Sequence, residues 1–239
     1  LGLTAAPVLL VGAAAMFLVG LVDDLNPLKP ATKLVFEIAI ASFLVFFGFR
    51  LGWTQSLTLD TLLTLLWIVG FTNAFNLLDN MDGLCAGLGI IAGSGVLAVL
   101  WLNGARGPEP THVALLLGSL AGFLVFNFNP ASIFMGDSGS LFIGFNLAVL
   151  GLSIDRPTIA SSELLSIMAG PALILMVPIL DTTLVTLSRW NSGRSAAQGG
   201  RDHSSHRLVA IGLSERSADQ KSTRLNSSHV SESRMPSSA

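Results

Sequence analysis

The sequence predicts an all-α fold, a polytopic transmembrane helix bundle of about seven spans. Charged residues make up only 12% of the 239 residues, against about 25% in a soluble protein. Hydrophobic residues reach 51% and the mean hydropathy is +0.68. So little charge cannot cover a body of this size, and lipid is the solvent it implies. The apolar residues also fall into stretches near the ~20 residues that cross a bilayer. Backbone groups in hydrocarbon must be satisfied internally, so each stretch is a helix.

In chain order the stretches lie near 3–22, 33–49, 60–78, 84–102, 112–128, 138–154 and 164–187. Their alternation puts the connections 23–32, 79–83, 129–137 and 188–212 on one side of the bilayer. The first side carries Lys29, Lys33, Arg189, Arg194, Arg201 and Arg207; the second carries Arg50, Arg106 and Arg156. Six basic residues against three make the first side cytoplasmic by the positive-inside rule, in a plasma (inner) membrane. Trp53 and Trp101 near outer helix ends, and Trp190 near an inner one, suit an aromatic belt. The single cysteine, Cys85, excludes an internal disulfide. The net charge of −2 singles out no partner, and no nucleic acid is expected.

Both ends are expected to be incomplete or foreign. The chain opens inside an apolar run without the basic n-region of a signal peptide, so upstream residues are expected to be missing. Residues 1–218 form the membrane domain. Residues 219–239 are Ser-rich and aperiodic, and are read as disordered or foreign sequence without function.

Four polar features interrupt the apolar pattern. In GLVDDLNPLKP, Asp23 and Asp24 end a helix at the terminus where the macrodipole disfavours acids, so capping does not explain them. They are either solvated loop acids or groups that handle a cation or a proton. In NAFNLLDNMDG, Asn73, Asn76, Asp79 and Asp82 are spaced by three. Such a row forms one surface only if the helix ends near Asp79, which Gly83 permits; the plain alternative is a polar helix end. In FNFNPASIFMGDSGSLF, Asn129-Pro130 makes a turn and the segment Gly136 to Ser140 opens a helix. Asp137 and Ser138 are either its cap or part of an anion site at its free N–H groups. Phe134 could lie against a planar ring, or simply pack. The loop RWNSGRSAAQGGRDHSSHRL is basic and holds His203 and His206. It is a topology signal or a phosphate-binding loop, and without cysteine or a third histidine it is no structural zinc site.

By the span count all four features face one side. Asp23, Asp24, Asp79, Asp82 and Asp137 would then form a carboxylate cluster. At about 6 Å and an effective dielectric of about 20, each pair repels by roughly 3 kcal/mol. Such a cluster calls for cations, and oxygen ligands without cysteine favour Mg²⁺ or Mn²⁺. Acids, a divalent ion and an Arg/His loop describe a phosphate or diphosphate site.

At these residues the chain resembles the polyprenyl-phosphate N-acetylhexosamine-1-phosphate transferases. The resemblance runs from Leu3 to Ala218 through LVDDLNPLKP, NAFNLLDNMDGL, FNFNPASIFMGDSGSLFIGF, PILDTT and GRDHSSHRLVAIGLSERSA, in family order. It implies transfer of sugar 1-phosphate from a UDP-N-acetylhexosamine to a polyprenyl phosphate, with release of UMP, to initiate a cell-envelope polysaccharide. It implies that Asp23 and Asp24 sit at the lipid phosphate and that Asn76 and Asp137 bind Mg²⁺. Asp79 and Asp82 would organise the metal and nucleotide site. Phe134 would meet the uracil ring, and His203, His206 and Arg207 would hold the diphosphate. A homodimer is compatible with the resemblance. Ser205 stands where the family commonly has His, and Asn80 where it often has Gly. The family has more helices than this chain, so the chain is expected to be a fragment. The competing reading is an ion- or proton-coupled transporter, which would place its acids near the midplane and use inverted repeats.

Overall fold

The structure, a computed structural model, describes residues 5–152. The stretch 164–187, the histidine loop with His203, His206 and Arg207, and the 219–239 tail lie outside the described residues. The described part is helical, with no strand: α1 Ala5–Leu25, α2 Pro30–Phe46, α3 Leu57–Leu78, α4 Leu84–Leu102, α5 Pro108–Asn127 and α6 Gly136–Leu152. Helices α1, α3, α4 and α5 are long and apolar enough to cross a membrane. Helices α2 and α6 have 17 residues each. The described residues therefore show fewer spans than the expected seven.

Local chemistry sets the helix boundaries. Pro30 and Pro108 open α2 and α5, where a missing N–H costs nothing. Ser56 caps α3 by accepting from the Leu59 N–H. Asp60, buried in the first turn of α3, accepts from Gly52 N (3.1 Å) and Trp53 N (2.8 Å) and so ties down the preceding loop. Helix α3 stops at Leu78, and Gly83 in the left-handed region (φ 73°) starts α4.

Helix α6 is the centre of the bundle and packs on α1, α3 and α4. Nearly every residue from Ser140 to Leu150 is buried on it, as expected of a helix apolar all round. Glycines allow this closeness. A Cβ on Gly144 would stand 2.8 Å from Thr72 Cα, and one on Gly20 would stand 2.4 Å from the Asp137 carbonyl oxygen. Small residues at crossings are how membrane helices gain dispersion contacts when lipid offers no hydrophobic drive. On α1 the packed face is Leu9, Ala13, Met16 and Gly20, at helical spacing. The outer faces remain apolar and exposed, for example Val11, Val35, Leu66, Leu115 and Val125. Such faces suit lipid contact, and the chain is a multi-pass membrane protein.

Candidate active site at the helix ends

The site forms where the C-termini of α1 and α3 meet the N-termini of α2 and α6. Helix α1 does not end at the first carboxylate: it continues through Asp23 and Asp24 to Leu25. Asp23 then faces inward. Its Oδ1 accepts from Leu28 N at 2.6 Å, which fixes the turn into α2, and its Oδ2 faces Lys33 Nζ at 3.1 Å. Lys33, in the first turn of α2, also donates to Asn76 Oδ1 at 3.1 Å and is paired with Asp137 Oδ2. One ammonium thus gathers oxygens from α1, α3 and α6. The Asn76 amide continues the network, donating to Asp137 Oδ1 and to Ser140 Oγ, each at 2.9 Å.

Asp24 corrects the expectation that capping plays no part in the acidic pair. It caps a different helix. Its Oδ1 accepts from Asp137 N at 2.8 Å and its Oδ2 from Ser138 N at 2.9 Å. The free N–H groups of α6 do meet an anion, as the dipole favours, and that anion is the Asp24 carboxylate. Gly136, at φ 69°, makes room: a Cβ there would stand 2.8 Å from Asp24 Oδ2.

The other expected residues are placed as follows. Asp79 is the C-cap of α3, its N–H directed at Asn76 O (3.4 Å). The row from Asn73 to Asp82 therefore breaks where a shared surface needs it to. Asp82 holds the 129–131 turn, its Oδ2 accepting from Asn129 Nδ2 (3.2 Å) and Ala131 N (3.0 Å). Asn127 completes that turn, receiving Gly83 N and donating to Ile133 O. Phe134 is half exposed. Three of the five expected carboxylates, Asp23, Asp24 and Asp137, come together.

Two residues of the site escaped the sequence reading. Lys33 was counted there only as a topology charge, yet it supplies the cation for the carboxylates. The available signal was a lysine ten residues after Asp23, inside the start of an apolar helix. Glu37 is fully buried one turn further along α2, with Asn73 Nδ2 donating to its Oε2. An acid inside an apolar stretch marks function by default.

Among the described residues, no three Asp, Glu, His or Cys side chains converge as metal ligands. The oxygens that do converge are Asp23 Oδ2, Asn76 Oδ1 and Asp137 Oδ2, all directed at one point. Few, hard, all-oxygen donors suit Mg²⁺, which usually completes its shell with water and phosphate. The residues fit such an ion.

Comparison with known proteins identifies the family. Residues 6–155 match the family described as glycosyl transferase family 4. The chain belongs to that family. A relative from Bacillus subtilis (strain 168), named a probable undecaprenyl-phosphate N-acetylglucosaminyl 1-phosphate transferase, is 38% identical over 215 residues, covering 86% of this chain. The decaprenyl-phosphate N-acetylglucosaminephosphotransferase of Mycobacterium tuberculosis (strain ATCC 25618 / H37Rv) is 35% identical over 238 residues, or 89% of this chain. This chain spans 59% of the length of each of these two relatives. The phospho-N-acetylmuramoyl-pentapeptide-transferase of Limosilactobacillus reuteri is 42% identical over 133 residues, covering 52% of this chain and 41% of that protein. The matched part of this chain, residues 6–155, contains Asp23, Asp24, Lys33, Asn76 and Asp137.

Proposed function

We propose that the protein transfers N-acetylhexosamine 1-phosphate from a UDP-sugar to a membrane polyprenyl phosphate, releasing UMP, on the cytoplasmic face of the plasma membrane. The observation that carries this reading is the meeting of Asp23, Asn76 and Asp137 on one point at the helix ends. It is supported by the names of the family's relatives. An oxygen of the lipid phosphate attacks the phosphorus that bears the sugar. The new P–O bond forms as the bond to the bridging oxygen breaks, and UMP leaves with that electron pair. No enzyme nucleophile is required. Asp23, held at the membrane surface, would orient the lipid phosphate or take its proton. Lys33 would neutralise the converging carboxylates until the cation binds. Asn76 and Asp137 would hold Mg²⁺ or Mn²⁺, which when bound neutralises the diphosphate and favours departure of UMP. His203, His206 and Arg207 would grip the diphosphate, and Phe134 would contact the uracil.

In the full-length protein, Asp137→Ala is expected to abolish Mg²⁺-dependent UMP release from UDP-N-acetylhexosamine and polyprenyl phosphate in vesicles. Release at the wild-type rate would overturn the assignment. Family membership leaves the transporter reading without support.

A further inference from the structure

Glu37 is 0% exposed. Its Oε2 is engaged by Asn73, but its Oε1 has no hydrogen-bond partner among the described residues. A buried, half-satisfied carboxylate is expensive unless something comes to meet it. Its position limits what that could be. Glu37 lies four residues after Lys33 on α2, on the same face, about 6 Å further along the axis. Lys33 and Asp137 both act on it electrostatically. The ammonium of Lys33 meanwhile fills the point where the oxygens of Asp23, Asn76 and Asp137 converge. A divalent ion cannot share that point with it. Lysine is a flexible four-carbon stem with a compact head, able to swing between two acceptors one turn apart.

We propose that Glu37 is the second seat of the Lys33 ammonium: the side chain holds the acidic site together when empty and moves onto Glu37 Oε1 when a divalent cation binds. This rests on the reading of Asn76 and Asp137 as metal donors, with Asp23 beside them. Glu37 is thus a positioning residue that acts through Lys33, and it sets how readily the cation gains the site. Glu37 also supplies the charge that Lys33 would otherwise lack after displacement, so no buried ammonium is stranded.

The test is a double-mutant cycle on Mn²⁺ binding, read by electron paramagnetic resonance on the full-length protein in lipid nanodiscs. Glu37→Gln keeps the shape and the Asn73 contact distance but removes the charge. It is expected to weaken Mn²⁺ binding by about tenfold or more, because the displaced ammonium no longer finds a buried partner. Glu37→Asp should recover part of the loss. In a Lys33→Met background there is no ammonium to move, so Mn²⁺ should bind more tightly than to wild type. There, Glu37→Gln should change affinity by less than about twofold, since the coupling has been removed. Equal weakening in both backgrounds would overturn the proposal, because Glu37 would then act as a ligand or as packing. So would an unchanged affinity when Glu37→Gln is made in the protein that keeps Lys33. Wild-type protein that binds no Mn²⁺ would overturn the metal reading itself, and this inference with it.

Discussion

Replacing Asp24 with Ala removes the cap that α1 places on α6. Two N–H groups, at 2.8 and 2.9 Å from one carboxylate, lose their acceptor. Buried, each charge-assisted bond would contribute about 1.5–3 kcal/mol. Asp24 is exposed, so water replaces much of that. Removing an N-cap typically costs about 0.5–2 kcal/mol, and loss of a charge at the positive helix end adds about 0.3–1 kcal/mol. A destabilisation of about 1–2 kcal/mol follows. At about 2–4 °C per kcal/mol for a chain of this size, the melting temperature should fall by about 2–8 °C. The measurement is tryptophan fluorescence during heating in detergent, without substrate or metal, alongside amide exchange at 137 and 138. Asp24→Asn keeps one acceptor oxygen and should lose roughly half as much. If Asp24→Ala melts within about 1 °C of wild type and its 137 and 138 amides stay protected, the cap contributes nothing and the reasoning fails.

Gly20→Ala should be at least as damaging although it removes no polar group. Its methyl would stand 2.4 Å from Asp137 O and 2.5 Å from Ser138 Cα, backbone atoms that cannot turn aside. A loss of about 1–3 kcal/mol is expected, seen as a lower melting temperature together with lower UMP release. Asp82→Ala frees the 129–131 turn from two hydrogen bonds. A loss of about 1 kcal/mol, with faster amide exchange confined to residues 129–133, would bear this out; unchanged exchange there would contradict it.

Much of the helix pattern was legible because hydrocarbon imposes a length and a composition. The expected stretch 84–102 coincides with α4, 60–78 falls within three residues of α3 at both ends, and 138–154 begins within three residues of the start of α6. The apolar rule fails where polar residues continue a helix. It ends α1 at residue 22 because Asp23 is charged, yet the helix runs on because those carboxylates have partners beyond it. The break at Asp79 was legible only as a condition: a row spaced by three drifts around a helix axis and shares one surface only if the helix ends there, which Gly83 permits. The meeting of Asp23 and Asp137 followed from counting spans, while Asn76 entered through the family resemblance. Lys33 and Glu37 did not, because sidedness rules treat a lysine as a label and pass over an acid within a span. The role of Asp24 was hidden for another reason: its partners are backbone amides of a distant helix, which have no signature in sequence.

That distance bears on how the protein is made. Asp24 and the amides it receives are 113 and 114 positions apart. A chain emerging at about 5–20 residues per second exposes the acidic pair on the order of ten seconds before its counterpart exists. Until α6 inserts between α1 and α3, Asp23 and Lys33 lack Asp137, and Asp24 lacks the N–H groups it caps. The acidic site is therefore complete only once α6 is in place. A chain halted before residue 136 would leave Asp24 to water, while Asp23 would keep Lys33 and the Leu28 N–H.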